Sequence, residues 1–122
     1  MNVDPKHTTK LLGLFENDDC MFNIDIQRQN MTDLKPTLTE MLDKAIDVLK
    51  NDENGFFLFV EAGRIDHAHH QTRAHLVLGE TEELSKAVAL AKRKLSEDDT
   101  LFVVTADHSH TMSYAGYGVR PV

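Results

Sequence analysis

The apolar residues of this chain fall in two rhythms. Between Thr37 and Leu49, the residues Leu38, Met41, Leu42, Ala45, Ile46 and Leu49 recur at i, i+3, i+4 and i+7, the spacing of one helix face. Thr37 suits the N-cap, and Glu40 three residues later completes a capping box. The NDENG run at Asn51–Gly55 stops this helix. A second helical stretch is predicted from about Asp66 to Leu95. Leu76, Leu84, Val88, Ala91 and Leu95 line one side of it, and Lys92, Arg93 and Lys94 suit its C-terminal end, where cations meet the negative pole of the helix.

The second rhythm is continuous. Phe56–Val60 (FFLFV) and Thr100–Thr105 (TLFVVT) are unbroken apolar runs, which predicts strands buried on both faces, as in a parallel sheet. Lys10–Phe15 (KLLGLF) reads as a further short strand. Glu16–Lys35 has no steady period and reads as a loop region, with a short strand over Met21–Ile26. The order strand, loop, helix, strand, helix, strand predicts an α/β fold with a mostly parallel sheet and right-handed crossovers. No internal repeat, low-complexity segment or linker interrupts it.

Length and charge narrow the picture. The 122 residues suit one domain, and 41% apolar against 27% charged residues allows an ordinary core. A formal net charge of -7 argues against nucleic acid or an anionic membrane surface as the main partner. Cys20 is the only cysteine, so an internal disulfide and a cysteine-built zinc site are excluded. The start, MNVDPKHTTK, has no apolar signal core, and Phe56–Val60 is far too short to cross a bilayer. The expectation is a soluble chain without export or anchor signal.

Both buried-type runs end in acids and histidines. Glu61, Asp66, His67, His69 and His70 follow the first; Asp107, His108 and His110 follow the second. In open parallel α/β sheets, ligands bind beyond the carboxyl ends of the strands, so neighbouring strands would bring the two clusters to one site. Asp66 and His70 at i and i+4 share a helix face and can grip one ion. Zinc accepts imidazole nitrogen and carboxylate oxygen, and Glu61 suits a harder ion such as magnesium. One histidine-rich turn alone is more often a solvated surface; two clusters at the ends of two apolar runs favour metal. His69 and His110 are candidates for orienting a ligand carboxylate. His7, His75 and Arg64 read as structural or solvated. Ser109 carries no sign of a nucleophile elbow. The loop from Ser113 (SYAGYGVRP) could pack over a site or be plain surface.

The stretch VEAGRIDHAHH, followed by VVTADHSH, resembles the alkaline phosphatase family, nearest its animal branch. GLFE at Gly13–Glu16, the PTLTEM helix start and GFFLFVE fit in the same order, so the likeness covers almost the whole chain. It implies part of a three-layer α/β sandwich. It also implies hydrolysis of phosphomonoesters through a phosphoserine, with two zinc ions and one magnesium. Asp66 and His70 then resemble ligands of the first zinc, Asp107 and His108 ligands of the second, and Glu61 a magnesium ligand. His110 resembles the residue that holds Asp66, and His67 stands near the phosphate and magnesium. Phe15 and Glu16 match a calcium site of animal members. Lys35 stands where the family has an aspartate before the proline, and Asp33 is the substitute on offer.

The same resemblance marks departures. The family's Asp-Ser-Ala nucleophile motif does not occur here. Its bridging aspartate, its phosphate-holding arginine and the third histidine of the first zinc come from segments the chain does not carry. The expectation is one partial domain over residues 1–122, an internal piece with half-sites for metal, marginal stability and no normal turnover. The alternative is an inactive product acting only by binding metal or a partner chain. A phosphodiesterase or mutase of the same superfamily would share Asp-x3-His and Asp-His pairs but not match these motifs so fully. The resemblance further implies a phosphomonoester and inorganic phosphate as ligands, no nucleic acid, a homodimer, and an extracellular or cell-surface setting.

Overall fold

A computed structural model describes residues 3–113. It contains four helices among them: α1 (Asn23–Arg28), α2 (Leu38–Leu49), α3 (Arg64–His70) and α4 (Ala74–Lys94). Helix α4 is the hub, and the other three all pack on it. Its N-terminal half buries Leu76 and Val77 with Phe22 and Ala68; Ile24 and Ile65 close that cluster. Its C-terminal half buries Ala87 and Ala91 with Leu42 and Ile46 of α2, flanked by Leu58 and Phe102.

The expected parallel sheet is not there: the described residues contain no strand. No backbone N–H of residues 56–60 or 101–105 reaches a carbonyl among them, and a strand exists only through such bonds. Burial on both faces is corrected as well. Leu58 and Phe102 turn into the α2–α4 cluster, while Phe57 (87% exposed), Phe59 (77%), Leu101 (87%) and Val103 (76%) face outward. Lys10–Phe15 forms no strand either, and Leu12 and Leu14 are exposed. Met21–Ile26 is largely helix α1, because Phe22 and Ile26 at i and i+4 both find the core.

Helix α2 has the predicted start. The Thr37 hydroxyl accepts from the Glu40 N–H (3.2 Å), and the Glu40 carboxylate accepts from the Thr37 N–H (2.8 Å). Near the other end of the helix pair, the Lys94 ammonium bridges Asp43 and Asp47 of α2, with Asp47 at 2.8 Å. Hydrogen bonds from Lys50 and Lys94 hold the Asp47 carboxyl below its usual range.

The single long helix expected from Asp66 to Leu95 is two helices. The break is a Schellman motif at the end of α3: the Thr72 N–H bonds the His69 carbonyl (2.9 Å) and the Arg73 N–H bonds the Ala68 carbonyl (3.0 Å). Thr72 takes the left-handed position at φ 56°, which a β-branched residue adopts only under strain. Asn30 closes α1 in the same way at φ 52°. Where α4 passes α1, Gly79 allows a close approach, since a Cβ there would lie 2.5 Å from Ile24 Cδ1 and the isoleucine would have to shift.

The inward stripe of α4 contains a residue the apolar pattern passes over. Glu83 is buried, whereas Leu84 and Val88 are only half-buried. Its carboxylate accepts from the Thr39 N–H (2.9 Å), one of the unpaired first-turn donors of α2. One turn earlier, Glu80 accepts from the Asn23 N–H that opens α1. Burial pushes the Glu80 carboxyl above its usual range, and the Asn23 N–H opposes that shift.

Replacing Glu83 by alanine is expected to cost roughly 2–3 kcal/mol in urea unfolding, the scale of a lost hydrogen bond to a charged group. Thr72→Gly should raise stability by about 1 kcal/mol, by relieving the left-handed penalty. Destabilisation by that glycine would show that Thr72 contributes more than its conformation.

Candidate metal centre

Helix α3 presents two faces. Ala68 is fully buried and Ile65 packs beside it, which turns Asp66 and His70 outward. Being at i and i+4, they meet on that face, with His70 Nε2 3.3 Å from Asp66 Oδ2. The segment after Phe102 returns to the same place. His108 Nε2 lies 3.7 Å and His110 Nε2 3.8 Å from Asp66 Oδ1. The His110 ring stacks on His69 at 4.6 Å and meets the edge of His70 at 4.8 Å.

Asp66, His70 and His110 each offer one ligand atom, and these atoms lie within 4.8 Å of one another. A tetrahedral zinc site with bonds near 2.05 Å needs ligand atoms about 3.3 Å apart. A modest contraction would close the trio around an ion, so the donor set fits a zinc-type metal.

The histidine tautomers suit that use. His108 Nδ1–H donates to the Ser109 carbonyl (2.9 Å) and His110 Nδ1–H to the Thr111 carbonyl (3.3 Å). Each ring therefore turns Nε2 toward Asp66, and a backbone partner on the other nitrogen is the usual support of a metal-bound imidazole. The Ser109 carbonyl, then the carboxylates of Asp107 and Asp66, push the His108 pKa up. His69 Nδ1–H donates to the Ile65 carbonyl (2.8 Å) within α3.

Other candidate residues stand apart from the trio. Asp107 is 87% exposed and reaches only its neighbour His108 (3.3 Å). Glu61 is exposed and folds back beside Gly63. Both still line, with Asp66, His67, His108 and His110, one open cleft of about 2280 Å³. The loop from Tyr114 onward lies outside the described residues.

His67 belongs to a different arrangement. Arg64 Nη1 donates to His67 Nδ1 (2.7 Å) and to Asp19 Oδ2 (3.0 Å), and its guanidinium lies 4.0 Å over the Phe22 ring. Arginine can only donate, so Nδ1 is the acceptor in that contact, and Asp19 Oδ2 lies 3.4 Å from the same nitrogen. The sequence pattern passed over Asp19 and Phe22, which lie in a stretch without a period. Their one signal is the acid pair Asp18–Asp19 ahead of an aromatic.

The family model for alkaline phosphatase matches residues 1–122, and the chain belongs to that family. It is 52% identical over 110 residues to the membrane-bound alkaline phosphatase of Bombyx mori, covering 90% of this chain and 19% of that protein. It is 45% identical over 120 residues to the human tissue-nonspecific isozyme, covering 98% and 22%. Against the alkaline phosphatase of Gadus morhua the identity is 43% over 120 residues, covering 98% and 24%. The chain thus spans 19 to 24% of the length of these relatives. No solved structure matches it significantly.

Zinc titrated by calorimetry should bind with an affinity that Asp66→Ala lowers by at least the ~10-fold typical of losing even an outer-shell partner. Asp107→Ala should leave the affinity of this Asp66 site much less changed, because Asp107 stands outside the trio. Equal effects of the two substitutions would contradict the grouping of Asp66 with His70 and His110.

Proposed function

We propose that this chain supplies part of the metal site of an alkaline phosphatase, a metal-dependent phosphomonoester hydrolase. The observation that carries the reading is the meeting of Asp66 with His70 and His110, two histidines from separate segments. In this reading Asp66 and His70 hold a first zinc ion with His110 beside them, Asp107 and His108 serve a second, and Glu61 serves magnesium. Two such ions, when bound, clamp the attacking and leaving oxygens of an in-line phosphoryl displacement.

The chain's own residues supply orientation and charge. Asp66 meets His70 of α3 and the 108–110 segment at one point. His67, with its Nδ1 engaged by Arg64, offers Nε2–H as a donor to a phosphate oxygen. Arg64 fixes that ring while Phe22 and Asp19 hold the guanidinium. No Asp-Ser-Ala sequence occurs in the chain, so the serine that accepts phosphate in this reading lies outside it. That absence also favours the second reading, in which the chain binds metal without turnover.

Among the described residues no helix is long and apolar enough to cross a membrane. The setting we propose is extracellular or at the cell surface, supported by the silkworm relative named as membrane-bound. Dimerisation and the ester hydrolysed belong to the same proposal.

The test is a chimera in which residues 1–122 replace the matched span of the silkworm enzyme. It is expected to hydrolyse p-nitrophenyl phosphate, and Asp66→Ala in it to fall to background. The 122-residue chain alone is expected to show no turnover with zinc and magnesium. A folded chimera that is inactive with metal bound would sink the proposal.

A further inference from the structure

The calcium site implied by the family does not fit the residues present. Calcium takes six to eight oxygen ligands, with carboxylates supplying the charge. Glu16 is one such carboxylate, but its Oε1 is bonded to the ammonium of Lys35. Both side chains are only 19% exposed, so little water screens the pair. Lysine has three donors and no acceptor, and it cannot ligate a cation in its charged form. Asp33 is exposed, and among the described residues it joins no cluster of side chains placed to share an ion. Among the described residues, Glu16 belongs to no cluster of three or more His, Cys, Asp or Glu side chains placed to share an ion.

The position of Lys35 gives the pair a mechanical role. Its N–H and that of Leu34 both bond the Met31 carbonyl, which forms the turn leading through Pro36 to the cap of α2. The side chain then crosses to Glu16, in the stretch before α1 that has no helix of its own. The ammonium thus joins the Phe15–Asp19 stretch to the base of α2.

We propose that Lys35 is a built-in cation, and that its ammonium holds Glu16 in place of a divalent ion, so that this chain is calcium-independent there. The inference uses residues separate from the Asp66 cluster. It stands or falls apart from the phosphatase reading.

The test is thermal unfolding of the 122-residue chain with calcium chloride against sodium chloride of equal ionic strength. All variants carry Asp66→Ala, so that the histidine site cannot answer. With Lys35 present, no calcium-specific rise in melting temperature is expected. Lys35→Asp should melt lower without calcium and recover with it, with a midpoint on the order of 1 mM, typical of weak oxygen sites. Adding Glu16→Gln to Lys35→Asp should abolish the recovery. A calcium-specific rise with Lys35 in place that Glu16→Gln removes would overturn the proposal. A folded Lys35→Asp variant that ignores calcium would overturn it equally. Should Lys35→Asp not fold, the comparison of Lys35 chains with and without Glu16→Gln decides alone: no calcium response supports the proposal, and a Glu16-dependent response overturns it.

Discussion

Two carboxylates one turn apart on α4 hold α1 and α2 in register. Glu80 takes the first N–H of α1 and Glu83 takes a first-turn N–H of α2. A helix start leaves donors unpaired and carries positive partial charge, so an anion there satisfies both needs. Burying a carboxylate is unfavourable without such partners, and the raised pKa of Glu80 expresses that strain toward the neutral form. The bonds therefore run both ways: α1 and α2 need the carboxylates, and α4 can bury them only because those helix starts are present. Arg64 extends the network, lowering the Glu80 pKa through its charge while it holds Asp19 and His67.

That network explains which parts of the fold were legible. Helix α2 was, because a capping box and an apolar stripe are local signals. Helix α1 was not, because six residues with Phe22 and Ile26 inward give too short a period to see. The split between α3 and α4 was hidden because Thr72, neither glycine nor proline, takes the left-handed position. The stripe of α4 was misjudged where a buried glutamate replaces an apolar residue. The apolar runs misled most. An unbroken FFLFV reads as two-sided burial, yet only Leu58 turns inward from its centre, and among the described residues no backbone pairs with this run to cover its other side.

The candidate site divides along the same line. Residue types and the i, i+4 spacing identified Asp66 and His70, since a helix fixes that pair from sequence. Which residues join them depends on the course of the chain after Thr105, which no local rule sets. His110, read as a supporting residue, comes into the group, while Asp107 and Glu61 stay outside it.

The geometry around Asp66 itself argues for a cation. Backbone carbonyls take the Nδ1 protons of His108 and His110, so both rings turn Nε2 toward a carboxylate that has only lone pairs to offer. Separations of 3.3 to 3.8 Å to Asp66 exceed the 2.7–2.9 Å of a charge-assisted hydrogen bond. One carboxylate cannot draw three imidazoles into short bonds at once. An acceptor facing an acceptor needs a proton or a metal between them; the His108 pKa is raised first by its bond to the Ser109 carbonyl, then by Asp107, with Asp66 adding the smallest share. A divalent ion meets that need more fully, because it accepts several lone pairs together where a proton bridges only two. Protons and metal therefore compete for the same nitrogens.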